Sequence, residues 1–411
     1  MEEWKEYKLG EVCTELSDGL HKAPKFKIGG DYIFVNAKNI VNGFIVDNDP
    51  TKKSSYEEFL KYASPLNDTT ILYSIDGTIG NVALYRGEKC ILGKGACYLN
   101  PNPNVLDCLF LYYELQSPRF RGYIDRMSTG STIKHISLKT MRNYSFTFPS
   151  IKRQRQISSI LKSLDDKIEV NRRINDNLEQ QAQALFKSWF VDFEPFRDQP
   201  FVESELGMIP EGWRVGTLNE LGDIVGGSTP SKAKPEYYTN NGIAWLTPKD
   251  LSISQRKFTS KGEIDITQEG YDSCSTKLMP KGTVLFSSRA PIGYITIAKN
   301  DICTNQGFKS VIPTLAGTAF LYCFLKESTQ EIENKATGST FKEASGALMK
   351  SLTAIIPEKE VLDDFEIMLR PLFNQQEVVE EENFRLASLR DTLLPRLMSG
   401  ELKVNEIENA I

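Results

Sequence analysis

The sequence predicts an α+β fold in which one mixed α/β domain and one long helix each occur twice, in the order A-B-A′-B′. Two observations predict it. Residues 161–189 carry mostly apolar residues at steps of three and four, and the same frame returns 208 positions later at 369–397. Short motifs ahead of each helical segment also recur in order. We expect the helices to pair as an antiparallel coiled coil with pseudo-twofold symmetry.

Polar residues interrupt both seams near the middle: Asn171 and Asn175 in the first, and Gln376, Asn383 and Arg390 in the second. A buried amide without a partner costs roughly 1–3 kcal/mol, so the helices should pair in one register. The residues predicted to pair the helices or dock other subunits are Leu161, Leu164, Asn171, Asn175, Leu178, Leu185, Leu369, Leu372, Asn383, Leu386 and Leu393.

The elements of the first half follow from local patterns. Residues 1–149 form the first domain, with strands expected at 32–35, 70–73 and 82–85 and a helix near 106–115. The first helix then occupies residues 150–190.

In the second half, residues 191–210 are rich in Pro, Glu, Asp and Gln and are predicted to be a linker. Residues 211–357 form the second domain, 358–400 the second helix and 401–411 a tail. Pro371 and Pro395 are expected to kink or bound this helix, and Gly400 to stop it.

The repeat holds motif by motif. Residues 34–40 correspond to 245–251, 71–74 to 284–287, and the T-G-S-T-x-K stretch at 129–134 to that at 337–342. Offsets drift between 208 and 213 in the domains but stay at 208 from 129 onward, so the helix length is kept. The 28 residues of one seam would span about 42 Å, close to the roughly 34–36 Å between DNA sites one helical turn apart.

Composition is that of a globular protein. The 411 residues suffice for two or three domains, and 40% are hydrophobic and 25% charged. We expect a cytoplasmic chain, because no long apolar run suggests a membrane span and the N-terminus lacks a signal-peptide layout. Seven cysteines without a C-x-x-C pair indicate reduced packing residues.

Charge is distributed unevenly along the chain. The net charge is −5, yet one segment contains only Asp125 as an acid among nine bases. A run of this kind is a candidate nucleic-acid surface, or simply a solvated face. The bases are Arg119, Arg121, Arg126, Lys134, Lys139, Arg142, Lys152, Arg153 and Arg155.

No catalytic motif is present. The patterns H-E-x-x-H, G-x-S-x-G, N-P-P-[YF] and G-x-G-x-x-G are missing, and residues 87–95 do not match a phosphate loop. His21 and His135 are not repeated and are expected at the surface. The sequence therefore predicts no catalytic residues, metal site or cofactor in this chain.

Polar residues follow the short strands at equivalent places in both repeats. Arg, Lys, Asn and Gln form the preferred bonds to base edges, and Ser, Thr and Gly suit phosphates, although ordinary turn chemistry explains such residues too. The residues predicted to bind DNA are Lys38, Asn39, Ser74, Asp76, Lys94, Thr132, Lys134, Lys249, Asp250, Ser288, Arg289, Asn305, Gln306, Thr340 and Lys342.

The chain resembles the specificity subunits of Type I restriction-modification enzymes over nearly its whole length. The resemblance lies in residues 213–224, in G-T-V-L-F-S-S-R at 282–289, in the doubled T-G-S-T, and in residues 185–195 and 389–402. It implies two target-recognition domains, each reading half of a bipartite double-stranded DNA target, with the helices setting the spacing. Domain one lacks the arginine that Arg289 supplies, so base contacts transfer poorly from the family.

The same resemblance implies partners. Two methyltransferase subunits would dock on the helices and engage restriction/translocase subunits, and S-adenosylmethionine, ATP and magnesium would belong to those partners. We expect such a subunit to cover Ile174, Phe186 and Phe190. Two alternatives remain open: a duplicated protein-interaction scaffold without DNA readout, and an enzyme with a composite active site between its domains.

Overall fold

A computed structural model describes residues 4–128, 134–253, 256–338 and 342–404 of the chain. The chain divides into two compact units, one of Met1–Ile168 with Arg385–Ile411 and one of Glu169–Phe384. Each unit holds one mixed α/β domain, called the first domain and the second domain below, and a segment of both long helices. The predicted fold class, with two repeated α/β domains and two long antiparallel helices, is confirmed.

The first domain is built on an antiparallel sheet. Its strands lie in the order Cys13–Asp18, Ala96–Pro101, Ile71–Ser74 and Val82–Leu84. Smaller sheets order Lys53–Ser54, Tyr32–Val35 and Cys90–Leu92, and pair Lys5–Lys8 with Ser145–Phe148 and Ile40–Val41 with Phe44–Ile45. The helices are Leu9–Val12, Ala37–Asn39, Tyr56–Tyr62, Cys108–Glu114, Pro118–Met127 and Leu138–Arg142.

The second domain repeats this plan. Its main sheet orders Gly222–Gly226, Lys309–Pro313, Val284–Ser288, Ile292–Ala298 and Phe258–Thr259. The two-stranded pairs are Arg214–Thr217 with Thr353–Ile356, Tyr238–Thr239 with Asp265–Ile266, and Trp245–Leu246 with Cys303–Thr304. The helices are Leu218–Leu221, Pro235–Tyr237, Pro248–Ile253, Gln268–Asp272, Thr318–Glu327, Thr329–Lys335 and Gly346–Lys350.

The same local bonds recur at equivalent positions, which confirms the sequence repeat. The backbone N–H of Lys8 donates to Glu11 over 3.0 Å, and that of Thr217 donates to Glu220 over 2.9 Å, so a glutamate side chain caps the first short helix of each domain. The parallel pairing of Tyr32–Val35 with Cys90–Leu92 likewise recurs in the second domain.

The first long helix is Ile151–Phe190 and the second long helix is Lys359–Met398. Pro371 and Pro395 lie within the second long helix, so neither bounds it. Proline removes one hydrogen bond without ending a helix when tertiary packing holds the rest. Gly400, with φ +76°, follows the helix end as predicted, because a left-handed conformation there favours glycine.

Contacts within each unit establish antiparallel pairing. In the second unit the rings of Trp189 and Phe365 lie 5.7 Å apart, and Asn171 Nδ2 donates to Glu382 Oε2 over 2.8 Å, so numbers rise on one helix as they fall on the other. In the first unit Arg390 donates to Asp165 over 2.8 Å. All nine positions of each predicted seam are buried or half-buried.

The polar side chains in the middle of the seam form only some of the hydrogen bonds that they could make. Asn171 has its bond to Glu382, but the side-chain oxygens of Asn171, Asn175 and Asn383 are buried without a hydrogen-bond partner among the described residues. A carboxylate such as Glu382 accepts and cannot donate, so it serves only the amide nitrogen. The layer therefore favours one register at a cost in stability.

Two expectations are corrected. Phe186 is 3% exposed and Phe190 is buried too, because both pack on Phe320 and Phe365 of the same unit and need no partner protein to cover them. The predicted linker at 191–210 contains the 3₁₀ helix Glu194–Phe196 and the hairpin of Phe201–Ser204 with Gly207–Pro210. Phe196 and Ile209 tie this segment into the core.

A buried lysine fastens the second domain to both long helices. Lys257 Nζ lies 2.8 Å from Glu179 of the first long helix and 2.7 Å from Oε1 of Gln376 on the second, and 3.4 Å from the centre of the Phe373 ring. The carboxylate of Glu380 accepts the backbone N–H of Lys257 over 2.8 Å. We call Lys257, Glu179, Gln376 and Glu380 the lysine hub.

Charge balance within the hub fixes its protonation. Burial by itself would raise the pKa of Glu179, but the charges of Lys257 and Lys326 outweigh burial and lower it to about 2. Burial lowers the pKa of Lys257, and the Glu179 carboxylate opposes that effect. The hub is therefore an ion pair that needs both partners.

Candidate nucleic-acid interface

A cleft of about 880 Å³ opens in the second domain where loops meet after several strands. Five of the predicted DNA-binding residues line it although they lie up to 57 positions apart in the chain: Lys249, Asp250, Arg289, Asn305 and Gln306. The fold thus gathers donors and acceptors from helix Pro248–Ile253 and from two separate loops into one concave surface.

Arg289 is presented by the loop that leaves strand Val284–Ser288. The hydroxyl of Ser287 accepts the backbone N–H of Tyr294 over 2.8 Å and donates to the carbonyl of Pro291 over 2.8 Å, which closes the loop. Arg289 Nη1 lies 3.3 Å from Glu343 Oε2, and about a third of both side chains is exposed. A guanidinium has five N–H donors, so this ion pair leaves donors for the two acceptors of guanine.

Three other residues of this domain that were predicted to bind DNA instead form hydrogen bonds within the domain. Asp250 accepts the backbone N–H groups of Thr247 over 2.7 Å and Glu263 over 3.0 Å. Ser288 is fully buried and donates to the carbonyl of Gly307 over 3.1 Å, while Asn305 Oδ1 accepts the Gly307 N–H over 2.8 Å. These three side chains shape the loops around the cleft.

Exposed polar side chains complete the cleft. Lys249 forms an ion pair of 2.9 Å with Glu263, and this hydrogen bond raises the pKa of Lys249. Gln306 is exposed and bonds to Thr229. Lys342 is exposed, donates to the carbonyl of Glu333 over 3.3 Å, and does not line the cleft.

In the first domain the predicted loops also converge. The backbone N–H of Gly77 donates to the carbonyl of Lys134 over 3.2 Å, and the N–H of Ile75 donates to that of Gly95 over 3.1 Å, which brings Asp76, Lys94 and Lys134 to one edge. Lys94 and Lys134 are exposed and Asp76 is half-buried.

Two predicted residues of this domain are turned inward. Asn39 is buried, where its amide donates to the carbonyl of Val46 over 3.0 Å and to Asn48 over 2.8 Å, and its neighbour Lys38 is exposed. Ser74 is fully buried and its hydroxyl accepts the backbone N–H of Asn81 over 2.8 Å. Thr132 and Thr340 lie outside the described residues.

Equivalent loops of the two domains carry opposite charges. The backbone N–H of Ile136 bonds to the carbonyl of Ile75 over 2.9 Å, just as that of Ala344 bonds to Ser288 over 2.9 Å. By this alignment Asp76 occupies the place of Arg289, and His135 that of Glu343. The first loop therefore offers an acceptor where the second offers donors. His135 is half-buried.

Sequence reasoning missed several residues of the cleft, among them Thr229, Lys232, Tyr238 and Trp245. The stretch G-G-S-T-P-S-K at 226–232 carried a signal, because a glycine-rich turn followed by hydroxyls and a lysine suits phosphate contacts. Trp245 is buried, with its indole N–H donating to the carbonyl of Ser228 over 3.1 Å, and so holds that loop.

The cleft combines lysine, arginine and amide side chains with the acids Asp250 and Glu263 and with aromatic and proline side chains, and its basic and amide groups suit contacts to DNA phosphates and bases. Among the described residues no group of three or more His, Cys, Asp or Glu side chains is placed to hold a metal ion. Nor does any helix in those parts of the chain have the length and apolarity to cross a membrane.

Comparison with known proteins identifies the class. Residues 1–180 and 210–380 match the family of the Type I restriction modification DNA specificity domain. The chain belongs to this family, whose domain recognises DNA targets, and it is a specificity subunit of the Type I restriction-modification class. Such subunits are non-catalytic components of their complexes.

Similar proteins are also named specificity subunits of Type I restriction enzymes. The specificity subunit of the Type I restriction enzyme HindI from Haemophilus influenzae is 26% identical over 476 aligned positions, which cover 98% of this chain and 100% of the relative. The MjaIX specificity subunit from Methanocaldococcus jannaschii is 38% identical over 44% of each chain. The crystal structure of the S subunit from M. genitalium shares the fold, with a TM-score of 0.57 and 19% identity over 96% of both chains.

Proposed function

We propose that each domain reads one half of a bipartite DNA target and that the two long helices set the spacing between the halves. The observation that carries this proposal is the cleft of the second domain, which Lys249, Arg289 and Gln306 line together although they come from one helix and two separate loops. Three such side chains on one concave surface suit the major-groove edges of a short run of base pairs.

Within the interface, we assign different roles to the exposed and to the buried residues. Lys38, Lys94 and Lys134 in the first domain, and Lys249, Gln306 and Arg289 in the second, are at least partly exposed and would contact DNA. Buried Asn39, Ser74 and Ser288, together with Asp250 and Asn305, would hold the loops in the shape that this contact needs. Such support is what keeps a binding surface preorganised.

The partners follow from the class. Two methyltransferase subunits would dock on the long helices, and restriction/translocase subunits would join through them in the cytoplasm. S-adenosylmethionine, ATP and magnesium would be bound by those subunits, and this chain would contribute recognition without a chemical step.

The experiment is to co-express the chain with a Type I methyltransferase subunit and to map methylated adenines across the host genome. We expect a split motif, and replacement of residues 1–149 by those of another specificity subunit should rewrite only one half of it. A stable complex that adds no new methylation would favour the protein-interaction scaffold.

A second measurement separates the same alternatives in vitro. Binding of the purified complex to duplex DNA should weaken linearly with the logarithm of salt concentration, because phosphate contacts release counterions. A scaffold without DNA readout would show no such slope.

A further inference from the structure

The loop at residues 20–30 of the first domain begins beside a predicted DNA contact. The backbone N–H of Leu20 donates to the carbonyl of Leu92 over 2.7 Å, and that of Lys94 donates to Leu20 over 2.8 Å. In the second domain the equivalent loop starts where Ser228 donates to Thr304 over 3.0 Å. That second loop supplies Thr229 and Lys232 to the cleft, so residues 20–30 border the corresponding face of the first domain.

The tip of this loop is a tight turn of residues 27–30. The N–H of Gly30 donates to the carbonyl of Lys27 over 3.0 Å, and Gly29 has φ +70°, which only glycine adopts readily. The N–H of Lys27 donates to the carbonyl of Lys53 over 2.8 Å, so the turn extends from strand Lys53–Ser54. A methyl group on Gly30 would come within 2.6 Å of the Ser54 carbonyl oxygen, which shows how closely the turn is packed.

An aliphatic side chain stands at the apex of this anchored turn. Ile28 is 100% exposed, and Phe26, 41% exposed, rests on the ring of Phe34 with centroids 5.8 Å apart. A fully exposed isoleucine contributes nothing to the core of the domain, because it removes no apolar surface from water. The turn therefore holds Ile28 in a fixed position although this side chain does not stabilise the domain.

Three lysines flank the apex, and the charges of Glu57 and Glu58 act on Lys27 and Lys25 from the neighbouring helix Tyr56–Tyr62. Lys22, Lys25 and Lys27 are all exposed, and none forms an ion pair within 4.0 Å in the parts of the chain that the structure describes. The backbone of Lys25 is fixed by its N–H, which donates to Glu58 over 3.1 Å. Three unpaired cations around an exposed apolar tip are complementary to a polyanion with an apolar interior.

We propose that this turn is a DNA wedge: Ile28 enters the minor groove beside the first half-site while Lys22, Lys25 and Lys27 contact the flanking phosphates. Apolar side chains inserted from the minor groove partly unstack a base step, and lysines on both sides hold the backbone. The inference rests on the proposed function, because it places the turn against the duplex that the first domain reads. It adds a contact that the strand-end loops do not provide.

The test uses the complex with a methyltransferase subunit and two fluorescein-labelled duplexes, one with the methylated motif and one with a scrambled motif. Ile28→Ala should weaken binding to the motif about tenfold, the scale of losing one buried aliphatic side chain, without changing the salt slope. Lys22→Ala/Lys25→Ala/Lys27→Ala should lower the slope of log affinity against log salt by about 2.7, from three phosphate contacts of about 0.9 each.

A matched control is available in the segment 191–210 that precedes the second domain. Leu206 is 50% exposed at the tip of the hairpin Phe201–Ser204 with Gly207–Pro210, but it directly follows the acids Glu203 and Glu205. Leu206→Ala should leave affinity and salt slope unchanged. Equal losses for Leu206→Ala and Ile28→Ala would overturn the wedge as a special feature.

The outcomes separate the wedge from the proposed function. Tight, motif-specific binding by the wild type with unchanged binding by both loop variants overturns the wedge alone. Equal binding of the wild type to both duplexes overturns the proposed function and the wedge with it. If Ile28→Ala instead weakens assembly with the methyltransferase subunit in the absence of DNA, the turn is a protein contact and the wedge is wrong.

Discussion

The lysine hub makes a quantitative prediction for stability. Lys257 is buried and pairs with Glu179 over 2.8 Å and with Gln376 over 2.7 Å, so Lys257→Met leaves a carboxylate short of one partner. Breaking a buried ion pair typically costs about 3–5 kcal/mol. We expect the lower end of that range, because Lys326 still pairs with Glu179 over 2.5 Å after the change.

The lowered pKa of Glu179, which Lys257 and Lys326 together cause, gives a free energy of similar size. Its pKa falls from 4.5 to about 2 on folding. At about 1.4 kcal/mol for each tenfold change in proton affinity, this corresponds to roughly 3 kcal/mol. Because the folded-state pKa is the lower one, this stabilisation is complete above pH 4.5 and is lost as the pH falls toward 2.

The assay is thermal unfolding at pH 7 of the wild type, Lys257→Met and a surface control. For a unit of about 200 residues, 3 kcal/mol corresponds to a lowering of Tm by roughly 6–12 °C. The control is Lys335→Met, which removes an exposed pair with Glu331 on one helix and should change Tm little.

The pH dependence of unfolding offers a second test of the lysine hub. Glu179→Gln should remove the part of the acid sensitivity that lies between pH 4.5 and 2. If Lys257→Met unfolds at the wild-type temperature, or if Glu179→Gln keeps the full acid sensitivity, the hub does not hold the second domain on the long helices.

Three further predictions concern base recognition by Arg289, the spacing of the two half-sites and the register of the long helices. Arg289→Ala should weaken binding by about 1–3 kcal/mol at one half-site only, measured with duplexes altered in either half; equal loss at both halves would remove its assignment as a base contact. Deleting one heptad from each long helix should shorten the preferred spacer by roughly 10 Å, or about three base pairs, in a methylation map, and an unchanged spacer would refute the ruler. Asn175→Leu should raise Tm, because it removes an amide oxygen buried without a partner among the described residues. Asn171→Leu, which also loses the bond to Glu382, is its control and should gain less.

Much of the fold could be predicted because it depends on periodic patterns. The strand Tyr32–Val35 lies where predicted, and the long helices begin and end within two residues of their predicted bounds. Strand Ala96–Pro101 was not predicted, because all six of its residues are buried and show no alternation. The hairpin at 201–210 was missed because its polar composition resembles that of a linker.

The candidate site was less predictable, since polar residues after a strand serve both binding and turns. Nothing in the local sequence distinguishes Arg289, which is partly exposed, from Asn39, which is buried and bonded to Asn48. The lysine hub could not be predicted from the sequence for another reason. Lys257 has no counterpart in the first domain, and its partners lie more than 70 positions away. Only tertiary structure brings such groups together.

The repeat itself explains why the two halves should recognise different sequences. Duplication supplies four equivalent strands of the main sheet, the same glutamate caps and the same loop closure in both domains, so selection for folding acts on these shared parts. The residues displayed at the loop tip are free to differ, and Asp76 stands where Arg289 stands in the second domain. A carboxylate accepts from the amino groups of cytosine or adenine, whereas a guanidinium donates to guanine. An asymmetric bipartite target is therefore the expected product of this fold, and a palindromic one would require the two tips to carry the same chemistry.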